Sequence, residues 1–166
     1  MSFANRVSQT LHEEHRATIA LMERLEQLLS RYRRTAPPAG DRAVVQLMSD
    51  LATSLEGEVQ RHFAFEEDRL FPYLDAAGDE AIGAHLTDEH NAIRPIGMRI
   101  AVLARDMASS GFDEAKWGEF RRLGLELCDR LLAHVQKEEM ALLPLIDEGM
   151  DAETEARLFE EYVENV

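Results

Sequence analysis

Apolar side chains recur along the chain at the three-and-four spacing of a helix face, in four long runs. The first, over residues 3–34, sets Val7, Leu11, Ile19, Met22, Leu25 and Leu29 on one face, and His15 fills the gap between Leu11 and Ile19. Pro37-Pro38-Ala39-Gly40 ends this run, and Asp41 is placed to cap a second helix. Its stripe is Val44, Leu47, Met48, Leu51, Leu55 and Val59; His62, Glu66 and Leu70 continue it, and Pro72 is expected to close it. After the turn Ala76-Ala77-Gly78-Asp79, a third stripe holds Ile82, Leu86, His90, Ile93, Gly97 and Ile100 or Ala101. Pro95 falls inside it, where a kink is expected. Ser109-Ser110-Gly111 breaks the chain again, and Asp113 can cap a fourth helix bearing Trp117, Phe120, Leu127, Leu131, His134, Glu138 and Leu142, ending near Pro144. A short fifth helix, about 151–164, presents Leu158, Phe159, Tyr162 and Val163. No run alternates with the period of a strand. The pattern predicts an all-α fold: an up-down-up-down four-helix bundle with a short C-terminal fifth helix. Residues 1–166 read as one domain, with the bundle at about 3–147 and the last helix following it.

The polar interruptions of these stripes repeat. From His62 to Asp75 and again from His134 to Asp147 the chain reads His-x-x-x-Glu-Glu-x-x-Leu-x-Pro-x-x-Asp. A second match pairs Glu13-Glu14-His15-Arg16-Ala17-Thr18 with Asp88-Glu89-His90-Asn91-Ala92-Ile93, so the first two helices resemble the last two. Residues four apart project from one helix face, one above the other. An imidazole and a carboxylate so placed are half a metal site, and two such helices face to face can complete it.

Taken singly, a histidine on an apolar stripe is ordinarily a hydrogen-bonded core residue, and one His-x-x-x-Glu carries no message. Six such positions together are different. Buried and unpaired, Glu66 and Glu138 would each cost on the order of several kcal/mol. Four imidazoles can neutralise them only by taking up protons, which burial disfavours; cations remove the conflict. Four nitrogens and two carboxylates exceed the needs of one tetrahedral zinc and suit two octahedral ions with both carboxylates bridging. Iron is the natural occupant, with manganese or zinc as substitutes. The Glu-x-x-His pair of ferritin-type bundles is absent, since His12, Val59, Thr87 and Leu131 stand three residues before the histidines. His12-Glu13-Glu14-His15 is one residue short of the i, i+4 histidine pair of a zincin, which excludes that class of metalloprotease.

Composition narrows the field further. A net charge of −14 argues against nucleic acid as a partner. Over residues 147–166, Asp147, Glu148, Asp151, Glu153, Glu155, Glu160, Glu161 and Glu164 face Arg157 alone; this reads as a solvated helix face, with a basic protein partner as the alternative. The single cysteine, Cys128, excludes an intrachain disulfide framework and reads as core filling. With no apolar leader segment at the N-terminus and no stretch of membrane-spanning length, the expectation is a cytoplasmic protein that does not enter a membrane. Met22, Met48 and Met98 are expected to pack. His12 and His85 lie off the ligand face, His12 being the nearer reserve; Glu67 and Glu139 are expected to meet solvent or a ligand imidazole.

These motifs resemble those of the hemerythrin-like, or HHE cation-binding, domains, over roughly residues 8–147. The resemblance implies one iron held by His15 and His62, another by His90 and His134, with Glu66 and Glu138 bridging and an oxo or hydroxo group between the metals. Two positions depart from the oxygen-carrying hemerythrins: Leu86 stands where those proteins have a histidine, and His134-x-x-x-Glu138 replaces their His-x-x-x-x-Asp. Four histidines instead of five leave a coordination position open, expected on the metal held by His90. The resemblance therefore points to binding or sensing of O₂, NO, peroxide or iron. The alternatives are a di-iron enzyme of peroxide or NO detoxification or of iron-donor repair, and a structural helical adaptor.

Overall fold

The computed structural model describes residues 2–164, all of whose regular structure is helical. Helix α1 spans Arg6–Arg31, α2 Arg42–Thr53, α3 Val59–Phe65, α4 Phe71–Ala76, α5 Glu80–Ser110, α6 Glu114–Lys137, α7 Leu143–Gly149 and α8 Ala152–Glu164. Three π-helical turns, Ser54–Glu58, Glu66–Leu70 and Glu138–Leu142, join α2 to α3, α3 to α4, and α6 to α7. Four rods result, and they pack in a ring: α1 against α2, α2 against α5, α5 against α6, and α6 back against α1. Among the described residues no helix is long and apolar enough to cross a membrane.

The predicted caps are present. Asp41 accepts from the amides of Ala43 and Val44, and Asp113 from those of Ala115 and Lys116. Asn5 caps α1 through Val7 and Ser8, while its own amide donates to Asp147 at 2.8 Å and ties that end to α7.

Pro72 and Pro144 do not end their helices, as the sequence pattern had them do. A proline ring collides with the carbonyl four residues back and offers no amide. Here the ladder widens just before each proline: the Phe71 amide bonds the Glu66 carbonyl, and the Leu143 amide bonds that of Glu138. The prolines then fall in the first turn of α4 and α7, the position at which a helix tolerates them best. Helix α5 also runs through Pro95 without a break. The turn at Ser54–Glu58 had no sequence signal beyond Gly57.

Most of the apolar stripe positions are buried as predicted; Ile19, Ile82 and Phe159 are only half-buried and Val163 is exposed. Met98 is 42% exposed, its sulfur facing Gln60 Nε2 at 3.7 Å rather than the core. The buried residues form two clusters. One holds Met22, Leu25 and Leu29 of α1 with Leu47, Met48 and Leu51 of α2, Ile100 of α5 and Trp117, Phe120 and Leu131 of α6. The other holds Val7 and Leu11, Leu70 and Leu74, Leu86, Leu142 and Ile146, closed by Leu158 and Tyr162 of α8. Each rod crosses from one cluster to the other at a histidine. A polar layer therefore lies between the two apolar clusters.

Candidate metal centre

Each rod contributes to that layer in its own way. α1 brings His15, α3 brings His62 and the π turn after it Glu66; α5 brings His90; α6 brings His134, followed by Glu138 at the start of the last π turn. All six are buried, both glutamates to 0% exposure. Nitrogen and oxygen atoms of Glu66, His90, His134 and Glu138 lie within 4.8 Å of one another, and so do those of His15, His62 and Glu138.

Glu66 spans the layer. Its Oε1 lies 3.2 Å from His90 Nε2, and its Oε2 lies 3.5 Å from His62 Nε2. Glu138 Oε1 stands 2.9 Å from His15 Nε2, 3.4 Å from His134 Nε2 and 3.7 Å from His62 Nε2. The Nε2 atoms of His90 and His134 face each other at 3.1 Å. Both oxygens of Glu66, Oε2 of Glu138 and Nε2 of His62 are buried without a hydrogen bond. Unsatisfied acceptors grouped around inward imidazole nitrogens are the donor set a divalent cation requires, so these residues fit such an ion.

The electrostatics differ from the sequence expectation in one respect. Burial by itself lowers the His62 imidazole, but the charge of Glu66 and the contacts with Glu138 and Glu14 outweigh it and lift it well above its ordinary value. Burial is likewise overcome at His15, by Glu138 and Glu139, and at His134, which Glu138, Glu66 and Glu89 hold up at about 9. Burial would raise the Glu138 carboxyl, yet its contacts with Glu66 and with His134, His15 and His62 keep it well below the usual range. Without cations, protons on these imidazoles balance the carboxylates. Burial alone does not forbid that, because the opposing charges sit within one layer.

Behind each histidine stands a second carboxylate, always from the neighbouring rod. Glu14 of α1 meets His62 Nδ1 at 2.9 Å, and Glu67 meets His90 Nδ1 at 2.5 Å. Glu89 of α5 meets His134 Nδ1 at 2.8 Å, and Glu139 meets His15 Nδ1 at 2.8 Å, which closes the circuit. In a neutral ring this fixes the proton on Nδ1 and turns the Nε2 lone pair inward. Each carboxylate also has a partner on its outer side: Arg61 and the Tyr162 hydroxyl for Glu14, Arg94 for Glu67, Lys137 for Glu89 and His12 for Glu139. Glu67 and Glu139 thus meet imidazoles, as expected. Glu14 and Glu89 were not anticipated, although the repeated Glu-His dipeptide at 14–15 and 89–90 was the signal for them. His12 braces Glu139 instead of joining the six, and His85 is 58% exposed beside Lys137 and Glu89.

A cavity of about 340 Å³ leads in between α1 and the second rod. Its floor includes His15, His62, Phe63, His134 and Glu138, and its rim includes Glu13, Glu14, Glu58 and Arg61. His90 is not part of its wall. That ring is fully buried, stacked 3.8 Å from Phe63 and 5.9 Å from Phe71. The cavity therefore reaches the layer without passing this ring.

A helical bundle crossed by a buried layer of histidines and carboxylates is the construction of a cation-binding domain. The family model described as the hemerythrin HHE cation binding domain matches residues 6–146, and the chain belongs to that family. A search of curated proteins finds none that matches the chain. Family and geometry together define a metal-binding protein with clustered His/Glu candidates for its site.

Proposed function

We propose that the chain is a non-haem di-iron protein of up-down-up-down topology. In this reading His15 and His62 hold one ion, His90 and His134 the other, and Glu66 and Glu138 bridge them. The observation that carries it is the pair of fully buried carboxylates Glu66 and Glu138, three of whose four oxygens lack a hydrogen bond and each of which faces histidines from both halves of the chain. When bound, the ions would supply electrons and Lewis acidity toward O₂, NO or peroxide, the class of ligand for which we propose the protein.

The protein's own residues determine how such a ligand arrives. The cavity meets His15, His62 and His134, so approach is between α1 and the second rod, with a ligand of each proposed ion within reach. Phe63, Leu131 and Val135 give the floor an apolar lining that keeps bulk water thin near the layer. The four outer carboxylates hold the imidazoles in one tautomer and one orientation, which limits rearrangement on metal uptake.

Binding or sensing is the leading reading. A cavity open to solvent and far larger than the roughly 30 Å³ of a water-sized ligand also favours turnover of peroxide or NO. An adaptor role gives no reason for six buried polar side chains. The test is to load the protein with ferrous ion without oxygen and add NO or peroxide in known amounts. One ligand bound per site, with a stable optical change, supports binding; continued consumption supports the enzyme. No spectral response to either ligand would exclude both readings.

A further inference from the structure

The family match ends before α8, yet this helix reaches the surroundings of the metal layer. Tyr162 is 3% exposed, its ring 4.4 Å from that of Phe65 and 5.3 Å beneath the Arg61 guanidinium. Its hydroxyl donates to Glu14 Oε1, the oxygen that His62 Nδ1 meets at 2.9 Å. Arg61 donates to the other Glu14 oxygen at 3.2 Å. The helix is held on the bundle by buried Leu158, by ion pairs of Arg6 with Glu155 at 2.8 Å and of Arg69 with Glu161 at 3.4 Å, and by Arg6 lying over Phe159.

Glu14 is thereby set apart from its three counterparts. Glu67, Glu89 and Glu139 take their outer partners, Arg94, Lys137 and His12, from within residues 6–146. Glu14 alone of the four carboxylates is also held by α8. Glu14 and Arg61, the two charged groups that Tyr162 meets, also line the cavity. Burial raises the Tyr162 phenol, with Glu14 adding to the effect, so the group stays an O–H donor at any ordinary pH.

We propose that Tyr162 is a positioning residue for the metal centre, fixing Glu14 and through it the His62 imidazole and the Arg61 side of the cavity mouth. The proposal rests on the di-iron reading for its effect on metal, but not for its effect on His62. Loss of the hydroxyl leaves Glu14 held on its outer side by Arg61 alone, through the oxygen that His62 does not meet. The His62 ring then loses its fixed Nδ1 acceptor, and the ion shared by His15 and His62 is held less well. The other ion keeps Glu67 and Glu89 unchanged.

The test uses the full chain and the variants Tyr162→Phe, Glu14→Gln and their combination. In metal-free protein, solvent exchange of the histidine Nδ1–H protons is followed by NMR. Tyr162→Phe keeps the ring packing and should speed exchange at His62 by about tenfold or more while His90 and His134 stay protected. The combined variant should exchange no faster than Glu14→Gln alone, because both changes act on one link. Cobalt(II) titration should show one of two binding steps weakened about tenfold and the other unchanged. Unchanged His62 exchange, equal loosening of all the histidines, or additive effects in the combined variant would overturn the proposal. A wild-type protein that takes up no metal contradicts the di-iron reading alone, and the exchange measurement still decides the role of Tyr162.

Discussion

Glu89 Oε1 lies 2.8 Å from Nδ1 of His134, although the two residues belong to different helices, α5 and α6. A carboxylate behind an imidazole raises its basicity and fixes its tautomer, and loss of such a partner commonly costs about 10–100-fold in metal affinity. Glu89→Gln should weaken metal binding within about that range and leave the protein folded. Competition with a chelator of known affinity measures it. An affinity equal to wild type would mean that the outer carboxylates serve folding alone.

The metal-free protein should be less stable in alkali than at neutral pH. His134 is held up at about 9, by Glu138 and Glu66 against the pull of burial, while in the unfolded chain it titrates near about 6.5. Below about 6.5 both states carry the proton and its stabilisation is complete; it fades as pH rises and is gone above about 9. His15 and His62 shift in the same direction. Melting temperatures of chelator-treated protein should therefore fall between pH 6.5 and 9, and metal-loaded protein should fall less. A metal-free melting temperature that is flat across this window would contradict the charge balance described for the layer.

Two glycines in helices should respond in opposite directions to alanine. A Cβ on Gly83 would stand 3.0 Å from Phe71 Cβ, an atom fixed to the backbone, whereas one on Gly118 meets nothing within 4 Å. Gly83→Ala should cost about 1–3 kcal/mol, and Gly118→Ala should gain up to about 1 kcal/mol from helix propensity. At this chain length each kcal/mol moves the melting temperature by about 2–4 °C. Phe71 also stacks on His90, so Gly83→Ala should disturb metal uptake as well.

Cys128 should resist thiol reagents in the folded protein. It is 1% exposed, and burial, helped by Glu26 and Asp129, pushes the thiol up to about 12. At pH 8 it carries almost no thiolate. Mass spectrometry after alkylation should show no label without denaturant and one label with it. Labelling of native protein would place the thiol outside the core.

Helix positions and the six candidate ligands were legible because both follow from one period. His62, Glu66, His134 and Glu138 simply continue apolar stripes, so the faces that must be buried name the residues buried with them. Pro72 and Pro144 misled because propensity rules describe the α ladder, and the π turns at Glu66 and Glu138 change that ladder one turn earlier. Glu14 and Glu89 were hidden for a different reason. They point from one rod to a histidine on the next, and no periodicity within a helix reports a contact between helices. Tyr162 was read as one more apolar position of the last helix, since a sequence pattern does not show where a hydroxyl ends.

The most direct test counts iron. Protein reconstituted anaerobically with ferrous ion and then desalted should carry two irons per chain and develop near-ultraviolet oxo-bridge absorption on exposure to air. Glu138→Ala, which removes an oxygen donor shared by His15, His62 and His134, should abolish both. Iron absent from the wild-type chain, or two irons retained by Glu138→Ala, would contradict the account.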